Sequence, residues 1–162
     1  MKIVKDLTLI AIFASIIIVL EYALYFLPNV QLTFLLIILY SKVLGLKKTT
    51  LIIILYVMID YLILGGLSFY TPVALVGFLL IPILLTTIFK KVEESLILAC
   101  LGVVFSFIYS WLYALATVLL TEVNLFAYLA SDILFEIILA CSTFVSVLWL
   151  YKPLKKFLID KV

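Results

Sequence analysis

The chain has 162 residues, 69% of them hydrophobic and 12% charged, with a formal net charge of +2 and a mean hydropathy of +1.46. A water-soluble domain of this length exposes much of its surface and needs a polar shell that this composition does not supply, so the surplus apolar residues must face lipid. The small net charge, dispersed among loops rather than gathered on one face, sets aside a nucleic-acid partner.

Apolar runs between charge and Pro/Gly punctuation predict an all-α integral membrane protein, a six-transmembrane-helix bundle in one domain over residues 1–162. The first span, Val4–Leu27, is too long for a signal-peptide core and lacks a small-residue cleavage pattern, so it is expected to stay and the mature chain to begin at Met1. The second and third, Val30–Leu44 and Thr49–Leu64, are short. At about 1.5 Å per residue they cover only part of a hydrocarbon core of about 30 Å, which suggests a helical hairpin split at Gly45. Pro72–Phe89, Ser95–Thr121 and Leu125–Tyr151 complete the set.

All eleven basic residues are lysines, and they punctuate alternate connections. Lys2 and Lys5 precede the first span; Lys42, Lys47 and Lys48 join the second to the third; Lys90 and Lys91 join the fourth to the fifth; Lys152, Lys155, Lys156 and Lys161 follow the sixth. The remaining connections, Pro28-Asn29, 65–71 and 122–124, contain none. The positive-inside rule then places both termini in the cytoplasm and requires an even number of spans.

Four carboxylates lie inside the spans: Glu21, Asp60, Asp132 and Glu136. Each costs about 2.5 kcal/mol or more at the centre of a membrane helix, and such residues usually face a cavity or the bundle interior. Counted from the lysine-free side, Glu21, Asp60 and Asp132 sit about 7–11 Å deep at helical rise, so three helices deliver an acid to one layer, with Glu136 deeper on the face of Asp132. Tyr22, Tyr25, Asn29, Gln31, Tyr61, Tyr70, Tyr113, Asn124 and Tyr128 come from the same half. Tyrosines also gather at any membrane interface as an aromatic belt, and a lone acid can simply bond a neighbouring helix. As a set, ring faces with convergent acceptors describe a site for a flat, nitrogen-bearing small molecule, and the absence of basic residues from that half disfavours a carboxylate-rich one.

Cys100 and Cys141 stand singly in apolar runs and read as small buried thiols. With no histidine in the chain, a structural zinc site is close to excluded. No phosphate-binding loop and no nucleophile constellation appears, so uphill transport by this chain requires an ion gradient or a partner carrying the ATPase. The first span offers Ala11, Ala14 and Ser15, of which Ala11 and Ser15 have the small-x-x-x-small spacing that permits close helix approach, either to a partner or within the bundle.

The six spans, the small-residue first helix, the run from Leu27 through Pro28, Asn29, Val30, Gln31, Leu32 and Thr33 to Phe34, and the stretch from Asp60-Tyr61 through Gly65-Gly66 to Tyr70-Thr71-Pro72 resemble the substrate-binding S component of energy-coupling factor (ECF) vitamin transporters. The resemblance implies a multi-pass protein of a bacterial cell membrane. It would capture a vitamin or related micronutrient from outside, with no covalently bound cofactor, and would dock on a transmembrane coupling subunit joined to two ATPase subunits that alone use ATP. It also implies a pocket on the lysine-free side, roofed by the first and third lysine-free loops. The family's first helix carries two alanines four apart where this chain has Ala11 and Ser15. The stretch from Asp60 to Gly66 is also similar to rod-shape-determining membrane scaffolds of the MreD type, and Asp132 with Glu136 would serve a self-sufficient ion-coupled carrier.

Overall fold

In the computed structural model, which describes residues 2–160, six helices follow one another with short connections. They are α1 (Lys2–Ala23), α2 (Thr33–Val43), α3 (Gly45–Ile63), α4 (Tyr70–Thr86), α5 (Ser95–Thr121) and α6 (Leu125–Ile159). Of these, α1 from Ile3 to Ala23, α5 and α6 are long and apolar enough to cross a membrane. The 11 residues of α2 and the 17 of α4 fall short of that length.

The fifth span coincides with α5, while the others shift at their ends for identifiable reasons. After Ala23 the chain leaves the helix and folds back through residues 24–32, so the apolar stretch to Leu27 belongs to a connection. Gly45, at φ +77°, is where α2 stops and α3 starts, because a left-handed residue is cheap only for glycine. The charges Lys47 and Lys48 are absorbed into the first turn of α3. In α6 the helix continues past Tyr151 and through Pro153 to Ile159.

Every residue of α2 from Thr33 to Ser41 is buried, as expected of a helix that is apolar all round. It packs against α1, α3, α4, α5 and α6, which neighbour one another in the order α1, α3, α4, α5, α6. The backbones of α1 and α6 do not meet, so the ring is open on that side. Where α5 crosses α6 and α2, a Cβ on Gly102 would lie 2.8 Å from Thr143 Cγ2 and 3.3 Å from Ile38 Cδ1, which makes glycine the residue that fits. Cys100 and Cys141 are exposed free thiols rather than buried ones. Outward faces that meet lipid are as apolar as the interior, so an apolar sequence context does not mark burial here.

The described lysine-bearing segments gather at one end. Lys48 pairs with Asp6 at 2.7 Å, tying the start of α3 to the start of α1. The Lys42 ammonium donates to the carbonyls of Leu85, Phe89 and Lys90 at 3.3, 2.7 and 3.2 Å, holding the last turn of α4 and the connection after it. Glu93, between α4 and α5, pairs with Lys155 of α6 and accepts from the Tyr151 hydroxyl. Met1 and Lys161 lie outside the described residues.

Candidate functional site

Helix α2 starts at Thr33 and reaches the lysine-bearing end after 11 residues, about 16 Å at helical rise, against about 40 Å for the 27 residues of α5. The axis of the bundle toward the lysine-free end therefore has no helix in it. Polar and aromatic side chains from the surrounding helices meet one another at that end.

Acids and hydroxyls pair across helices there. The Tyr56 hydroxyl of α3 donates to Glu21 Oε2 of α1 at 2.6 Å, and Tyr22 donates to Asp60 Oδ1 at 3.2 Å, so two tyrosine–carboxylate bonds run between the same two helices in opposite senses. Tyr61 of α3 meets Tyr113 of α5 hydroxyl to hydroxyl at 2.5 Å, and Tyr70 at the start of α4 meets Thr117 at 3.2 Å. Ser110 donates to Glu136 Oε1 at 2.9 Å; Glu136 is only 4% exposed, so its carboxylate sits inside the bundle. Rings stack above the first turn of α2. Phe34 contacts Phe78 and Tyr109 at centroid distances of 5.7 and 5.6 Å, Tyr109 contacts Tyr113 at 4.9 Å, and Tyr113 lies parallel to Tyr70 at 5.7 Å.

Beside this column, beneath the connection from α1 to α2, is a pocket of about 280 Å³ lined by Glu21, Leu24, Tyr25, Leu27, Pro28, Asn29, Val30 and Gln31. It lies just below the range of about 300–1,000 Å³ common for small-molecule sites. Its roof is shaped by a turn in which Val30 N–H donates to Leu27 O at 3.2 Å, with Pro28 and Asn29 at its centre. Asn29 has φ +58°, a conformation asparagine tolerates better than most residues, which gives it a backbone reason to be there as well as a side chain at the pocket. Gln31 anchors the far end of the roof: its N–H donates to Ser142 Oγ of α6, and the same hydroxyl donates to Gln31 O, both at 3.2 Å.

No protein-family model, curated protein or solved structure matches the chain. Of the residues singled out from sequence, Glu21, Tyr25, Asn29 and Gln31 share the pocket, while Asp60 lies outside its lining and bonds Tyr22, the neighbour of Glu21 in α1. Tyr61, Tyr70 and Tyr113 form the ring cluster on the α4 and α5 side. Asp132 and Tyr128 are half-buried on α6, one and two turns before Glu136. Asn124 is exposed and caps α6, accepting from Phe126 N–H at 2.9 Å and Ala127 N–H at 3.3 Å. Tyr56, Ser110, Thr117 and Ser142 complete the polar contacts and were not singled out from sequence.

On α1, Ala11 and Ser15 are exposed, and Ser15 returns its hydroxyl to Ala11 O at 2.8 Å, leaving a smooth outward face. A shallow groove runs along Ala11, Ser15, Val19 and Leu20. Ala14 is 1% exposed and belongs to the core, so it is not on that face. Among the described residues no three histidine, cysteine or acidic side chains gather as a metal-binding group.

Proposed function

We infer that this chain is the substrate-binding S component of an ECF-type importer in a bacterial cell membrane, a six-crossing protein with both termini cytoplasmic. The observation that carries this reading is the short α2: it leaves the lysine-free half of the bundle to carboxylates and tyrosines, with a roofed pocket at their edge. A flat, nitrogen-bearing ligand such as a vitamin would place its N–H donors on Glu21 and Asp60 and its ring among the tyrosines. Glu21 Oε2 and Asp60 Oδ1 each already accept one tyrosine hydroxyl, which fixes the carboxylates and leaves their second oxygens for the ligand. The chain itself does no chemistry; a transmembrane coupling subunit with two ATPase subunits supplies the energy. The exposed Ala11–Ser15 face of α1 is the surface for that subunit, where small residues let backbones approach.

Mass spectrometry of small molecules released from the purified protein tests this directly. A nanomolar binder carries its ligand through purification, so one defined nitrogen heterocycle is expected at near one per chain. An empty preparation that also shows no affinity for any candidate micronutrient would fit the scaffold reading instead, and ligand uptake by the chain alone in proteoliposomes would fit the ion-coupled carrier. Ala11→Leu is expected to abolish co-purification with a coupling subunit while retaining the ligand; an intact complex with that variant removes α1 as the docking face.

A further inference from the structure

We propose that α6 carries a site for one anionic phospholipid on the lysine-bearing side, with an acyl chain in a groove along the helix and the phosphate on Lys152 and Lys156. The groove has a volume of about 560 Å³ and is apolar. Ile138, Cys141, Val145 and Trp149 line it, and Lys152 and Lys156 continue their spacing of three and four residues, so all six lie on one stripe of α6.

Length argues for an acyl chain. From Ile138 to Trp149 the helix rises about 16 Å, close to the roughly 15 Å that one leaflet contributes to a hydrocarbon core of about 30 Å. Trp149, 72% exposed, stands at the polar end of the groove, where indole rings favour the interface. The lysines follow within the next two turns, at the depth of a headgroup.

Charge selects the kind of lipid. Among the described residues the ion pairs are Lys48 with Asp6 and Lys155 with Glu93, so the exposed ammoniums of Lys152 and Lys156 are in neither. They border a recess of about 420 Å³ that also holds Glu93 and Asp160. Glu93 is already engaged by Lys155 and Tyr151, which leaves an excess of positive charge for a phosphate diester.

The other end of the groove touches the ligand pocket. Val30 lines both, and Leu32 closes the groove beside it, so the acyl chain lies against the back of the roof over the candidate site. A lipid in place supports that roof from the membrane side.

The full chain, purified in detergent and titrated with phosphatidylglycerol or phosphatidylcholine, is read by native mass spectrometry for bound lipid. Phosphatidylglycerol is expected to bind about tenfold or more tightly than phosphatidylcholine, from two lysines near the headgroup. Lys152→Gln with Lys156→Gln should erase that preference, while Lys47→Gln with Lys91→Gln, two exposed lysines at the same end, should keep it. Val145→Trp, which fills the groove, should weaken both lipids. Equal binding of the two lipids by the native chain, or an equal loss in the Lys47 and Lys91 pair, overturns the site. So does undiminished binding of both lipids by the Val145→Trp chain, since that would mean the groove contributes nothing.

Discussion

The two ends of this bundle are built from the same helices and held in different ways. Toward the lysine-bearing end, α2 occupies the axis and is surrounded by apolar side chains so close that Gly102 cannot carry a Cβ without moving Thr143. Toward the lysine-free end the axis has no helix, and the walls are joined by hydroxyl–carboxylate and hydroxyl–hydroxyl bonds. In lipid, helices gain little from hiding apolar surface from one another, so close packing and polar contacts carry association. The first half spends its sequence on packing; the second keeps polar groups whose bonds hold the walls, with Glu21 among them lining a pocket.

That contrast breaks most visibly through α2. Ile38→Ala, at a fully buried position, should cost about 2 kcal/mol or more by leaving a cavity, seen as a lower unfolding midpoint in detergent with the bound ligand per folded molecule unchanged. Loss of ligand without loss of stability would mean that the packed half is part of the site. Gly102→Ala comes next, at about 1–3 kcal/mol from overpacking against Thr143 and Ile38. The same midpoint measures it, and a neutral result would show that α5 and α6 can separate freely.

Changes in the polar half should reverse the pattern. Glu136→Gln keeps a partner for Ser110 but replaces one carboxyl oxygen with an amide, and Asp60→Asn does likewise beside Tyr22. Each is expected to weaken ligand binding about tenfold or more, as for a lost hydrogen bond to a charged group, with the unfolding midpoint little changed. Full ligand retention in both variants would show that the acids only join helices. Smallest is Asn124→Ala: loss of the cap on α6 should cost about 1 kcal/mol. Fraying of the first turn of α6 by hydrogen exchange, with affinity intact, would separate lying at the lysine-free end from belonging to the site.

The packed half was hard to read from sequence and the polar half easier. Carboxylates in apolar runs announce themselves, so Glu21, Asp60 and Glu136 stand out in the sequence, while Tyr56 and Ser110, which bond Glu21 and Glu136, do not. A serine or threonine in a helix can always bond its own backbone, as Thr121 and Ser106 do, so the residue type does not reveal which ones reach across. Helix ends were blurred for a related reason. Residues 24–27 are as apolar as a span, and the turn at Pro28-Asn29 that follows is what distinguishes them. On α1 the small residues fit spacings of three and four equally well, and only the packing decides that Ala14 turns inward while Ala11 and Ser15 turn out.

The seam between Gln31 and Ser142 has a consequence of its own. One hydroxyl oxygen is both the donor and the acceptor of the two bonds that fasten the roof to α6. A rotation about the serine Cα–Cβ bond carries that oxygen away from both partners, whereas a turn of the hydroxyl hydrogen alone breaks only the donated bond. Ser142→Ala would therefore remove both bonds between the roof and α6 with the loss of one oxygen, while leaving the helix intact.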